Sequence, residues 1–239
     1  MYILGIDTAT RVAGVAVVNE ERLIVEKFLN NQKTHSQNLL PMIKQAIEEA
    51  GLKPEDLGGI AVTMGPGSFT GLRIGMAAAK SLAQVLNIPL IGISTMETIA
   101  YNIVGLPGFI CPILDAQKSE VYSAIYYTRD DELTLMEGPY ALTIHELVEK
   151  FKRHSREVTF LGDAVPVYVN QLSQEMGPKA HFASKINSLP RAAAVAELGF
   201  KRIAQGEADD PINLVPAYIR LSEAEATWAQ KHCPDTGEA

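Results

Sequence analysis

MYILGIDTATRVAGVAVVNEERLIVEKFL, residues 1–29, decides the fold. Ile3 to Ile6 is an apolar run of the kind that forms a buried strand, and it ends at Asp7. Val12 to Val18 makes a second strand and Leu23 to Phe28 a third. The links are short and carry Asp, Thr, Gly and Asn, so a meander of adjacent antiparallel strands is expected. The pattern returns later in the chain. FICPILDA (109–116) is a strand carrying Asp115, EVYSAIYY (120–127) alternates as a second strand, and a turn at Arg129–Asp131 leads to further strand-like residues. A helix from Thr143 to Arg153 follows. Strand, aspartate, turn, strand therefore occurs once in each half. Two such α/β halves imply a duplicated two-domain fold with a cleft between the domains. The break falls near GLPG (105–108), giving an N-terminal domain 1–104, a C-terminal domain 105–220 and a tail 221–239.

Between the two meanders, SQNLLPMIKQAIEEAG (36–51) reads as a helix. Ser36 is its expected cap, Leu39, Leu40, Ile43 and Ile47 form its apolar face, and Gly51 stops it. Pro41 must lie in the first turns or kink the helix. GGIAVTM (58–64) is a strand and residues 69–86 a second helix. IPLIGI (88–93) is a short strand and STMETIAYNIV (94–104) a third helix. In the last third, VTFLGD (158–163) is a strand, PRAAAVAELGFKRIAQG (190–206) a helix, and VPAYIR (215–220) follows.

The composition is that of a soluble globular protein: 239 residues, 47% hydrophobic and 21% charged, enough for one large core or two modest ones. The formal net charge of −7 repels nucleic acid, so an RNA role would need a local basic patch or a partner's surface. KFKRHSR (150–156) is the one dense basic cluster, and a solvated helix end explains it as simply. Cys111 and Cys233 match no metal or redox spacing, and no apolar stretch approaches the ~20 residues needed to cross a bilayer. A cytoplasmic protein is expected.

GPGSFTGLRIG (65–75) packs three glycines and a proline into seven positions just before the second helix. The P-loop pattern fails because Leu72 follows Gly71 where lysine is required. The dinucleotide pattern fails because Gly65, Gly67 and Gly71 are spaced one residue too far. What remains is either an anion-holding turn at a helix N-terminus or a structural turn with a good cap at Ser68 or Thr70. Along the helix, Gly71, Gly75, Ala79 and Ala83 recur every fourth residue as a smooth ridge, and polar positions such as Arg73 and Lys80 form a narrow stripe. A helix apolar around most of its circumference needs cover on more than one side, so contact with another chain is expected.

LGIDTAT (4–10), HSQNLLPMI (35–43), GPGSFTGLRIG, IGISTMET (91–98), LDAQKSEVYSAIY (114–126) and VPAYIR together resemble the TsaB family, over nearly the whole chain up to about Arg220. The resemblance implies a duplicated actin-like, RNase H-like α/β fold of the actin/Hsp70/sugar-kinase superfamily, with mixed sheets flanked by helices. It also implies a division of labour. A synthase makes threonylcarbamoyl-adenylate, and a TsaD-like paralogue transfers the threonylcarbamoyl group to the adenosine beside the anticodon of tRNA. A TsaE-like ATPase joins them, and the TsaB-like chain is a non-catalytic partner that meets tRNA only indirectly and forms a homodimer when alone. TsaD-like proteins hold their metal with two histidines at i and i+4. The equivalent positions here are Thr95 and Ile99, so no metal is expected. None of the five histidines, His35, His145, His154, His181 and His232, forms a helical metal pair, and there is no nucleophile elbow around Ser68.

Two sites follow as expectations. One is a cleft for ATP or ADP, degenerate or vestigial, flanked by Asp7, Thr8, Thr10, Gly65, Gly67 and Ser68, with Asp115 in the second half. Gln117, standing where the family commonly has arginine after Asp-Ala, weakens any anion site there. The other is a partner face on the first two helices: Leu39, Leu40, Ile43, Ile47, Gly71, Arg73, Ile74, Gly75, Ala78 and Ala79. A bulky residue at Gly75 or Ala79 is then expected to abolish association and leave the fold intact. The competing reading is a stand-alone ATPase or small-molecule kinase of the same superfamily, whose activity would be lost with Asp7→Ala.

Overall fold

The computed structural model describes residues 1–30, 35–152 and 156–220. It contains two five-stranded mixed sheets with the same connectivity. In the first, β1 (Tyr2–Asp7), β2 (Ala13–Val18) and β3 (Leu23–Leu29) form the expected antiparallel meander. β4 (Leu57–Gly65) joins β1 in parallel and β5 (Leu90–Ser94) joins β4 in parallel. In the second, β6 (Gly108–Asp115), β7 (Glu120–Arg129) and β8 (Glu132–Thr143) repeat the meander. β9 (Val158–Leu161) and β10 (Ala180–Phe182) repeat the parallel pair. The orders β3-β2-β1-β4-β5 and β8-β7-β6-β9-β10 correspond strand for strand.

The helices repeat as well. α1 (His35–Glu49) and α2 (Phe69–Leu86) serve the first half, α4 (Ile144–Lys152) and α5 (Val165–Met176) the second. α5 is absent from the reading above; Pro166 marks its first turn and Gly177 its end. α1 starts at His35, one residue before Ser36, next to residues outside the described ones; Pro41 lies in its second turn, exposed.

Each half ends in a helix that packs across the boundary. α3 (Thr95–Tyr101) buries Met96, Ile99 and Ala100 with Ile110, Ala124 and Tyr126 of the second sheet. α6 (Ala192–Ala204) buries Val195, Ala196 and Leu198 with Ile3, Ala16 and Ile93 of the first. The cut near residue 105 therefore separates the two sheets, while 192–217 return to the N-terminal one: Asp209 N donates to Leu90 O at 2.8 Å and Ala217 N to Met64 O at 2.7 Å. The physical reason is that both faces of the first sheet are apolar, and α1 and α2 cover only one of them. Polar ties join the crossed helices. Arg202 meets both Glu97 oxygens at 2.6 Å, and Tyr101 donates to Glu197 at 2.7 Å.

Candidate functional site

A cavity of about 670 Å³ opens between the halves. Its first-half wall is Ala9–Arg11 and the Pro66–Thr70 loop; its second-half wall includes Asp115, Gln117, Lys118 and Asp163. Strand order explains the position, since β1 and β4, like β6 and β9, end side by side and their following loops gather at one edge of each sheet.

The glycine loop is tied down by its own hydrogen bonds. Ser68 Oγ accepts the Gly71 N–H at 3.2 Å as the N-cap of α2, and Ser68 N donates to Ala9 O at 2.7 Å. Gly67 lies so close to the Ala9 carbonyl that no side chain fits there. Thr8 and Asp7, expected on the cleft wall, are fully buried beneath it. Thr8 Oγ1 donates to Gly71 O at 2.7 Å, tying β1 to the first turn of α2. Asp7 Oδ1 accepts the Ala9 N–H at 3.2 Å. Burial pushes the Asp7 carboxyl up to about 6; the Thr63 hydroxyl, the Ala9 amide and His35 offset this only in part. Thr10 does reach the cavity, but its hydroxyl accepts the Val12 N–H at 3.2 Å. Of the six cleft residues named from sequence, Thr10, Gly67 and Ser68 line the cavity, while Asp7, Thr8 and Gly65 lie behind its wall.

Asp115 sits on the opposite wall, its Oδ1 accepting the Gln117 N–H at 2.8 Å. Asp163, which the sequence reading passed over, faces it from the loop after β9: its Oδ1 accepts the Asp115 N–H at 3.1 Å. Burial raises its pKa; the hydrogen bond from the Asp115 N–H opposes this, the charge of the Asp115 carboxylate adds to it, and Arg11 opposes it. Its place at the C-terminal end of a parallel strand, after Leu161-Gly162, was the available signal. Where arginine is missing at 117, a guanidinium arrives from elsewhere: Arg220 Nη1 donates to Ala116 O at 2.9 Å and pairs with Glu120 at 2.9 Å. Among the described residues no group of three or more metal-ligating side chains occurs. Thr95 and Ile99 are fully buried.

The partner face needs correction. Leu39, Ile43, Ile47, Gly71, Gly75 and Ala79 all turn inward onto the chain's own core. A side chain at Gly75 would run into Thr8 Oγ1. The small-residue ridge exists because α2 must approach β1 closely, so a bulky residue there breaks the fold and cannot isolate an interface. Of the residues named, Leu40 and Arg73 are exposed and Ile74 and Ala78 half-buried; Ala77 and Val85 extend the same outward side of α2. The basic cluster is also blunted. Lys150 pairs with Glu137 and Lys152 with Glu149, each at 2.9 Å, while 153–155 lie outside the described residues. No helix among the described residues is long and apolar enough to cross a membrane.

A family model described as TsaD, tRNA N6-adenosine threonylcarbamoyltransferase, matches residues 24–228. The tRNA threonylcarbamoyladenosine biosynthesis protein TsaB of Bacillus subtilis is 34% identical over 96% of this chain and 99% of its own length. The chain belongs to the TsaB family. Its link to threonylcarbamoyladenosine biosynthesis rests on that membership. A solved Pseudomonas aeruginosa structure, described as an uncharacterized protein with similarity to peptidase YeaZ, superposes with a TM-score of 0.78 and 28% identity, covering 92% of this chain and 99% of the other. A ROK hexokinase from Thermus thermophilus shares the fold at a TM-score of 0.51 and 12% identity, covering 84% and 99%. The TsaB-family chain thus has the duplicated actin-like architecture expected of it.

Proposed function

We propose that this chain is a non-catalytic subunit that binds and activates a TsaD-like transferase, which carries threonylcarbamoyl to the adenosine beside the anticodon of tRNA. The observation that carries this reading is the fate of the paralogue's metal positions. Thr95 and Ile99 sit in the crossed α3 core with no access to solvent, inside a chain otherwise matched by the transferase family model. The catalytic half of the chemistry then belongs to the partner. The docking face is the outward side of α1 and α2, with Leu40 60% exposed and Val85 83% exposed among small residues. The same face serves a homodimer when the partner is absent. A TsaE-like ATPase joins the complex, and tRNA is met through the partner.

The cleft is read as degenerate. Asp7 is walled off and partly neutral near pH 6, which suits it poorly for holding a metal-bound nucleotide. ATP or ADP, if it visits, meets Thr10, Gly67 and Ser68 and not Asp7. The test is reconstituted threonylcarbamoyl transfer to tRNA by synthase, TsaD-like and TsaE-like proteins, with and without this chain. Transfer that depends on the chain and survives Asp7→Asn supports the reading. Hydrolysis of ATP by the chain alone, abolished by Asp7→Asn, would instead establish the stand-alone ATPase.

A further inference from the structure

We infer that residues 209–220 form a clasp that sets the angle between the halves, latched onto the second half, among the described residues, through Arg220. The segment is fastened along the first half at several points. Asp209 Oδ2 accepts the Gly92 N–H at 2.8 Å, and Lys80 Nζ donates to the carbonyls of Ile212 at 3.1 Å and Leu214 at 2.9 Å. Leu214 is buried in the first core. Ala217 N bonds Met64 O, and the Tyr218 ring packs on Phe69 at 4.8 Å while its hydroxyl accepts from Arg73 Nε at 2.9 Å. Two residues further on, the chain has crossed the cavity: Ala217 to Arg220 form part of its wall, and Arg220 grips Ala116 O and Glu120 of the β6–β7 turn.

The two ends of the clasp differ in strength. On the first half it has backbone bonds, a buried leucine and a ring stack. On the second it has, among the described residues, one guanidinium, 29% exposed, against a carboxylate 32% exposed, a type of pair that solvent screens readily. The turn it grips is itself unusual. Gln117, Lys118 and Ser119 all have left-handed backbone (φ 62°, 52° and 62°), and the Arg220 side chain caps the carbonyl just before them. The other polar ties through α3 and α6, Arg202 to Glu97 and the Asn102 amide to the Asn187 and Leu189 carbonyls, involve no residue of the cavity wall. They form a hinge that stays shut while the latch opens, so the latch controls access to the cavity without unfolding either half.

The test is a distance measurement across the cavity on the full chain. Spin labels at Thr70→Cys and Lys118→Cys, one on each wall, with Cys233→Ser and the fully buried Cys111 replaced by Ala so that no native thiol competes, report the gap by pulsed electron resonance. The unaltered clasp gives one narrow distribution. Arg220→Ala is expected to broaden it toward longer distances with the thermal unfolding transition kept cooperative, and Glu120→Gln, which touches only the latch, to broaden it less. Unchanged distributions in both variants overturn the inference. So does loss of cooperative unfolding in Arg220→Ala with an unchanged distribution in Glu120→Gln, because Arg220 would then be part of the core and not a latch.

Discussion

Replacing Asp7 by Asn should stabilise the protein at neutral pH, by an amount that the buried carboxyl itself sets. In the folded chain this group titrates near 6, against 3.8 for an ordinary aspartate, chiefly because burial removes water from it. Below about pH 4 the carboxyl is protonated in both folded and unfolded chains, and burial carries no electrostatic cost. Between about pH 4 and pH 6 the unfolded chain releases its proton while the folded one keeps it, so stability falls as pH rises. Above about pH 6 both are ionised and the loss is complete, at about 3 kcal/mol for a difference of about two pH units. Asparagine has the same shape, keeps an oxygen for the Ala9 N–H and cannot ionise. The stability difference between Asp7→Asn and the parent, from urea unfolding midpoints, should therefore be small near pH 4, grow through pH 6 and level off at up to about 3 kcal/mol in favour of the variant. Taking the difference cancels the other titrating groups. A difference that stays flat from pH 4 to pH 8 would refute the reasoning, and one that grows with the opposite sign would show that the ionised carboxylate is held by partners stronger than its burial.

Gly75→Arg should fail to fold or lose about 3 kcal/mol or more, read by circular dichroism melting, because its side chain has only Thr8 to enter. Ser68→Ala should cost about 1 kcal/mol by the same assay, the value of an N-cap, with no loss of transfer activity. Glu97→Ala leaves Arg202 unpaired between the crossed helices; because both side chains retain some exposure, the cost should be about 1–3 kcal/mol by urea unfolding, below that of a fully buried pair.

The meander and its repeat can be read from residues 1–29 and 109–127 because short links with turn residues leave adjacent antiparallel pairing as the economical outcome. The limits of α2 follow from Ser68 at one end and Asn87, in the left-handed conformation at φ 53°, at the other. The crossing of α3 and α6 is not local. Both helices are apolar over much of their surface, and nothing in their spacing says which sheet takes which. The interface error has the same origin. A ridge of Gly71, Gly75, Ala79 and Ala83 says that something approaches closely, but it does not say whether that is β1 of the same chain or a helix of another. Asp7 was placed at the right strand end and on the wrong side of the wall, since burial depends on how Gly67 seats on the Ala9 carbonyl. Asp163 and Arg220 join the cavity only through parallel pairing and chain return over long separations, which periodicity does not report.

The most direct test of the central claim is reconstituted threonylcarbamoyl transfer titrated with Leu40→Asp and Ala77→Arg, two substitutions on the exposed side of α1 and α2 that leave the core untouched. The account predicts thermal stability close to the parent's, loss of co-elution with the TsaD-like transferase, and transfer reduced to the level seen without the chain. Full association and full transfer by both folded variants would contradict it, and would place the partner's docking surface elsewhere on the molecule.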